Sequence, residues 1–264
     1  VSTFDYSEYT TAFGYLTYGV LAQGGRVEVT NSGNITVEGE GYAAGIVASA
    51  LGDAEVVTTG GSIEVYTPGT WVTYAVYVPP GGGGGGYYGG DGVRSAGDLL
   101  NLPGSTPVTP MDGGYGGEYG YYNYYTVLVG AATGINASSA YGDVTVSNAS
   151  DITVQSLYVN ATGISAISTY GDTQVANSGD IYAASIYGSA IGIYAVGENS
   201  SVDNSGSITA VVDGDVARAT GVINVATYLG DATTSNSGDI EVFAIGGTAP
   251  YGVEESLAVG IYNL

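Results

Sequence analysis

Asn177-Ser178-Gly179-Asp180-Ile181 is the stretch that decides the fold, because the phrase returns along the chain in slightly altered form. Its copies are Asn31-Ser32-Gly33-Asn34-Ile35, Asn148-Ala149-Ser150-Asp151-Ile152, Asn204-Ser205-Gly206-Ser207-Ile208 and Asn236-Ser237-Gly238-Asp239-Ile240. Measured at the isoleucine, with Ile63 as a further member, neighbouring copies lie 27 to 32 residues apart, except that Ile63 and Ile152 are separated by 89 residues. A period of this length indicates a chain that stacks one supersecondary unit repeatedly.

Each period contains three short apolar runs. The first alternates from the isoleucine of the phrase, the second begins at a glycine such as Gly163, and the third follows a Gly-Asp turn such as Gly171-Asp172. Alternation with a period of two residues indicates strands, and no segment has helical periodicity with caps. We predict an all-β parallel β-helix, or β-solenoid, with three short strands per coil of about 28 residues. The turn glycines are expected to adopt positive φ.

The asparagine of the phrase is predicted to point into the solenoid. Counted from the turn glycine, apolar residues fall at the second and fourth positions and the asparagine at the sixth. Equal parity places all three on one face of an extended chain. Amides stacked in successive coils can bond to one another, so the sequence predicts an asparagine ladder. Its members are Asn31, Asn148, Asn177, Asn204 and Asn236.

A long insertion interrupts the repeat between Ile63 and Ile152. We predict one solenoid domain over residues 1–264, with a Gly/Tyr/Pro-rich arm at residues 66–125 between two strands of one coil. A flexible linker is the alternative. Tyrosine offers a large contact area at low rotamer cost, so we expect the arm to contact a neighbouring subunit or its own solenoid. The predicted assembly tyrosines are Tyr87, Tyr88, Tyr115, Tyr119, Tyr121, Tyr122, Tyr124 and Tyr125.

The last coil allows two alignments. Tyr251-Gly252-Val253 fits the repeat by spacing, whereas Val259-Gly260-Ile261 fits it better by residue type. Neither end of the repeat shows a polar or helical cap, which the terminal repeats of a soluble monomer require. The ends are therefore expected to be open.

The charge of the chain excludes several partners. It has 25 acidic residues against three basic ones, no histidine, no cysteine and a net charge of −22. Nucleic acid phosphates and anionic lipids are repelled by such a chain. A disulfide and a Cys/His zinc site are excluded, and no apolar run is long enough to predict a membrane span. The start at Val1 and the single Met111 suggest a processed secretory product, extracellular or at the cell surface.

Aspartates recur at equivalent positions of consecutive coils, in the pairs Asp143 with Asp172 and Asp151 with Asp180. One interpretation is that each aspartate caps a turn through its side chain. The other is a calcium ion bridging adjacent coils, since the chain offers only oxygen ligands. No other cofactor is expected.

Enzymatic activity is not expected, and no catalytic residue is predicted. Polysaccharide lyases built on parallel β-helices need a basic proton acceptor and cations that hold an anionic sugar. The chain has no lysine or histidine and three scattered arginines. A β-helix polysaccharide hydrolase using an aspartate pair is the remote alternative.

The phrases Ala161-Thr162-Gly163-Ile164-Ser165-Ala166 and Tyr170-Gly171-Asp172 resemble the repeats of bacterial autotransporter passengers and filamentous adhesins. The resemblance covers residues 18–65 and 130–245. It implies a secreted right-handed parallel β-helix that serves adhesion, aggregation or display at the cell surface.

Two functions compete on this basis. The first is a structural subunit of an extracellular filament that stacks head to tail through its open ends, with its own copies as partners. The second is a secreted or cell-surface adhesin passenger that binds glycan or a host surface. Such a glycan platform should align exposed tyrosines on one face of the solenoid; the candidates are Tyr141, Tyr158, Tyr170 and Tyr187.

Overall fold

The computed structural model describes residues 16–78, 121–214, 217–245 and 256–264. These residues form strands and no helix. Sheet 1 contains β1 (Leu16–Gly24), β4 (Tyr42–Ala50), β9 (Ala131–Ser139), β12 (Ala161–Ser168), β15 (Ser189–Gly197), β18 (Arg218–Ala226) and β21 (Leu257–Asn263). Sheet 2 contains β2 (Val27–Asn31), β5 (Ala54–Thr58), β10 (Val144–Asn148), β13 (Thr173–Asn177), β16 (Ser200–Asn204) and β19 (Ala232–Asn236). Sheet 3 contains β3 (Ile35–Glu38), β6 (Ser62–Thr67), β11 (Asp151–Ser156), β14 (Ile181–Ser185), β17 (Ile208–Asp213) and β20 (Ile240–Ile245).

Each coil contributes one strand to each sheet, and every strand of the three sheets pairs in parallel with its counterpart in the next coil. The register is that of the repeated phrase: Ile152 lies beside Ile181, and Ile181 lies beside Ile208. About six coils are stacked in this way. The predicted β-solenoid with three strands per coil is therefore confirmed. β21 adds the first strand of a further coil and pairs Ile261 with Val222, so the last coil follows residue type and not spacing.

The core consists of inward columns of identical or similar residues. Ile63, Ile152, Ile181 and Ile208 are almost fully buried. Each isoleucine packs against a glycine of sheet 1: a Cβ added to Gly163 would collide with Cγ2 of Ile181. The same Cβ would also lie 2.6 Å from the carbonyl oxygen of Gly192 in the next coil. These glycines are required because the coils approach closely there.

The expectation of positive φ at the turn glycines is wrong for most corners. Within the described ranges, the glycines with positive φ are Gly60, Gly61, Gly69 and Gly130. At Gly142, by contrast, an added Cβ would lie 2.5 Å from the backbone nitrogen of Asp53. Glycine occupies such corners because neighbouring coils touch there, with no left-handed backbone involved.

The described part of the insertion is an antiparallel ribbon of β7 (Thr70–Val78) and β8 (Tyr121–Val129). It leaves the solenoid after β6 and returns at β9, with φ of 80° at Gly69 and 141° at Gly130. Residues 79–120 lie outside the described residues. The ribbon therefore projects from the junction between sheet 3 of one coil and sheet 1 of the next.

Candidate functional site

The structure joins four of the five candidate asparagines through their side chains. The Nδ2 group of Asn148 donates to Oδ1 of Asn177, Asn177 donates to Asn204, and Asn204 donates to Asn236, each over 2.7 Å. The same Nδ2 groups also donate to the backbone carbonyl two residues later, as Asn177 does to Gly179 over 2.8 Å. Each interior amide thus uses both N–H bonds, which satisfies a polar group buried in an apolar core.

The asparagine ladder has a direction. In its interior, Nδ2 donates toward the C-terminal coils and Oδ1 accepts from the preceding coil. Thr58 replaces asparagine in the second coil and donates to Oδ1 of Asn148 over 2.6 Å. Asn31 in the first coil donates to the carbonyl of Gly33, but its buried Oδ1 has no hydrogen-bond partner. At the other end, Asn236 is exposed.

The candidate calcium ligands lie in consecutive coils, and each pair is joined by a protein hydrogen bond. Oδ1 of Asp143 accepts from the backbone nitrogen of Asp172 over 2.9 Å, and Oδ1 of Asp151 accepts from that of Asp180 over 3.1 Å. Each aspartate thereby caps the start of a strand in the next coil. In the described part of the chain, no three acidic, histidine or cysteine side chains converge on a common metal position. Calcium at these pairs stays a prediction.

The four candidate glycan tyrosines form two stacks. The rings of Tyr141 and Tyr170 lie 5.7 Å apart and 9° from parallel, between sheets 1 and 2. The rings of Tyr158 and Tyr187 lie 5.4 Å apart and 12° from parallel, between sheets 3 and 1. The stacks therefore occupy two different corners of the coil and do not share one face.

The arm tyrosines divide between described and undescribed segments. Tyr121, Tyr122, Tyr124 and Tyr125 belong to β8, whose backbone pairs with β7. The others lie outside the described residues, namely Tyr87, Tyr88, Tyr115 and Tyr119.

A depression of about 300 Å³ lies on the outer face of sheet 1, lined by Tyr42, Asn136, Ser165 and Tyr194 among others. The Nδ2 group of Asn136 donates to the hydroxyl of Tyr42 over 2.9 Å. Burial raises the pKa of Tyr42 above the usual value for tyrosine. The lining contains no acidic or basic residue and combines aromatic rings with amide and hydroxyl groups.

The two ends of the solenoid differ. In the first coil, the inward Val29 and Val37 are buried to 2% and 1% exposure. In the last coil, the inward Ile240 and Val242 are only half-buried, and Ile261 of β21 is 42% exposed. An unpaired strand edge with apolar side chains invites another strand. Among the described coils, the inward apolar residues are therefore more exposed at the C-terminal end than at the N-terminal end.

The sequence prediction missed a polar cluster in the last coils. The Nδ2 group of Asn224 donates to Oγ1 of Thr234 over 3.1 Å, and Thr234 donates to Oδ1 of Asn263 over 2.7 Å. Asn224 stands in register with Ala195, and Thr234 stands in register with Val202. An alignment of the repeats position by position reveals both replacements of an apolar residue by a polar one. The sequence indicated no polar or helical cap at either end and did not reveal these hydrogen bonds in the last coils.

Comparisons with protein-family models, curated protein sequences and solved structures produced no match to this chain. Within the described ranges, no helix is long and apolar enough to cross a membrane.

Proposed function

We propose that this protein is the structural subunit of an extracellular filament in which β-solenoids stack end to end. The observation that carries the proposal is the unfinished coil at the C-terminal end. β19, β20 and β21 are the last strands of their sheets among the described residues, and the apolar residues beneath them are partly exposed. A second copy that continues the coils covers both the strand edges and the apolar surface.

The coil-to-coil contacts inside the protein support the proposal, because contacts of the same kind between copies need no ion pairs. Neighbouring coils are connected by parallel backbone ladders, buried apolar columns and amide bonds such as Asn148 to Asn177. Only three residues of the chain are basic, so attraction between opposite charges is a minor source of cohesion. In a filament, the contacts between two copies would therefore be of the same kind as the contacts between two coils of one copy.

Assembly is tested by electron microscopy and sedimentation of the purified protein over a range of concentrations. We expect unbranched fibres one solenoid wide. Ile261→Asp places a charge on the open end and is expected to abolish fibres. Leu51→Asp is the matched control, because Leu51 is 64% exposed on the side of the solenoid. Wild-type protein that stays as single short rods at high concentration contradicts the proposal.

A monomeric cell-surface adhesin that binds a neutral glycan is the second candidate function. The observation that favours it is the polar cluster of Asn224, Thr234 and Asn263, which resembles the cap of a soluble repeat protein. The stacked pair Tyr141 and Tyr170 then offers an aromatic surface to sugar rings. Binding of a neutral polysaccharide by monomeric protein, lost in the Tyr141→Ala/Tyr170→Ala variant, supports this candidate over the filament.

A further inference from the structure

The depression on the outer face of sheet 1 exists because two neighbouring columns of that face become small in the same coils. Coil by coil, one column reads Tyr18, Ala44, Thr133, Thr162, Ile191, Thr220 and Val259. The other reads Leu21, Val47, Asn136, Ser165, Tyr194, Ile223 and Tyr262. The third and fourth coils place threonine, asparagine and serine where the fifth coil places isoleucine and tyrosine. The strands β9 and β12 therefore form a low floor beside a taller fifth coil.

Two tyrosines bound the depression along the solenoid axis. On the N-terminal side, the hydroxyl of Tyr42 accepts from Nδ2 of Asn136 over 2.9 Å. The ring of Tyr42 also meets that of Tyr18 edge to face, with the centroids 5.8 Å apart, so this wall is fixed by two contacts. On the C-terminal side stands Tyr194 of β15, two strand spacings or about 10 Å beyond β9. Ser165 of β12 lies on the floor between the two sides.

Polar groups of the floor keep hydrogen-bonding capacity for a ligand. Thr162 and Ser165 are half-buried, and within the described ranges neither hydroxyl bonds to another group. Asn136 uses Nδ2 on Tyr42, which leaves its Oδ1 as an acceptor. A hydroxyl can donate or accept, and an amide oxygen accepts, so the floor suits a ligand that carries several hydroxyl groups.

We propose that this depression binds a neutral saccharide, with one sugar ring seated between Tyr42 and Tyr194. The C–H faces of the ring pack on the aromatic walls, and its hydroxyl groups bond to the floor. A volume of about 300 Å³ is at the lower end of the usual range for ligand pockets, which suits one or two sugar units.

Other classes of ligand fit the depression less well. An acidic sugar finds no cation in the lining and approaches a chain of net charge −22. A cationic ligand finds no carboxylate in the lining. A purely apolar ligand would cover the hydroxyls of Thr162 and Ser165 without bonding to them, which is unfavourable.

Saccharide binding here goes beyond the filament function and does not depend on it. The depression lies on the side of the solenoid, where end-to-end stacking leaves it uncovered. It is also separate from the corner stack of Tyr141 and Tyr170, since neither ring lines it. The depression is therefore available both in a single subunit and in a fibre.

Saturation-transfer NMR with defined tetrasaccharides tests the proposal on the full chain. The neutral probes are tetrasaccharides of glucose, galactose, mannose and N-acetylglucosamine, and tetragalacturonate is the anionic probe. We expect at least one neutral probe to bind and tetragalacturonate not to bind. Titration of the bound probe gives its Kd for wild type and variants.

Two variants alter the depression in different ways. Tyr194→Ala removes an aromatic wall and is expected to raise the Kd about tenfold. Ser165→Leu fills the floor and is expected to abolish binding. Its melting temperature should stay that of the wild type, because Leu21 already stands in the same outer column. Tyr170→Ala is the matched control, since this exposed tyrosine lies outside the depression and its loss should leave the Kd unchanged.

Each contrary result overturns the proposal. Wild-type protein that binds none of the four neutral probes at millimolar concentration excludes the saccharide. Binding that persists in both Tyr194→Ala and Ser165→Leu, or that disappears in Tyr170→Ala, places it elsewhere on the protein. Binding of tetragalacturonate as tight as that of the neutral probes contradicts the neutral class. Fibre formation is scored separately by electron microscopy, so these results leave the filament function standing.

Discussion

The Nδ2 group of Asn148 donates a hydrogen bond to Oδ1 of Asn177 across 2.7 Å between two consecutive coils. Both side chains are buried, at 2% and 3% exposure. The bond therefore holds the coils together where neither amide can find water. It also fixes the register, because sliding one coil by a residue turns its asparagine outward and an outward residue inward.

Removal of an interior ladder residue should be costly. Asn177→Ala leaves the amide of Asn148, the amide oxygen of Asn204 and the carbonyl of Gly179 each short of one partner. We expect the free energy of unfolding to fall by about 3 kcal/mol, since each buried unpaired group costs about 1–3 kcal/mol. Urea titration followed by circular dichroism at low protein concentration measures the loss. Asn236→Ala, at the exposed end, leaves only the buried amide of Asn204 short of one partner and should cost less, about 1 kcal/mol.

A methyl group added to an interior glycine should also destabilise the fold. In Gly163→Ala, the new Cβ overlaps Cγ2 of Ile181 and lies 2.6 Å from the carbonyl oxygen of Gly192. Backbone cannot yield as a flexible side chain does, so we expect a loss of about 3 kcal/mol in thermal or urea unfolding. Gly25→Ala has no neighbour within 4 Å and should leave stability unchanged or slightly raised. Equal effects at the two positions would contradict the packing described for the glycine column.

The two interpretations of the aspartates predict different effects of substitutions at Asp143 on stability. If Asp143 acts by capping the backbone nitrogen of Asp172, Asp143→Ala should cost about 1 kcal/mol, because that N–H loses its acceptor. Asp143→Asn keeps an Oδ1 acceptor and should cost close to nothing. A chelator should then leave the melting temperature of the wild type unchanged. A drop on chelation, with Asp143→Asn as damaging as Asp143→Ala, would instead indicate calcium.

Alkaline pH should lower the free energy of unfolding, because the phenol of Tyr42 ionises less readily in the folded state than in the unfolded chain. Burial raises the pKa of this phenol in the folded state above its usual value of 10.0, so the unfolded chain loses the proton first as pH rises. The unfolded state then binds fewer protons, and stability falls with pH above about 10. Tyr42→Phe should lower stability at pH 7, since Asn136 loses its partner, but should flatten the decline from pH 9 to 11. Parallel pH profiles for variant and wild type would exclude this role of Tyr42.

The solenoid and its asparagine ladder could be predicted from the sequence because both depend on parity and period. An inward residue that recurs once per coil, such as Asn177, stacks on the equivalent residues of the neighbouring coils, because strands of successive coils pair in register. The reason for the corner glycines could not be predicted in the same way. Gly142 is constrained by a backbone atom of Asp53, which is 89 positions earlier in the chain and adjacent only in the folded coils.

The ends of the solenoid were harder to predict than its interior. The residue types of the repeat align Val259-Gly260-Ile261 correctly with the last strand. The reason is that a glycine is needed beside Gly221 in the preceding coil. The polar cluster of Asn224 and Thr234 replaces one alanine and one valine of two long apolar columns. The strand pattern survives both replacements, so periodicity alone gives no sign of them. The arm tyrosines belong to no repeat, and their contacts therefore cannot be predicted from the period.

The mass per length of the assembled protein tests the central claim most directly. Sheet 1 has seven strands about 4.8 Å apart, so stacked copies place one subunit in about every 34 Å of filament. Scanning transmission electron microscopy of unstained fibres should therefore give one 26.4 kDa subunit per about 34 Å of length. Isolated 26.4 kDa particles at every concentration, or fibres with a clearly different mass per length, would contradict end-to-end stacking of single solenoids.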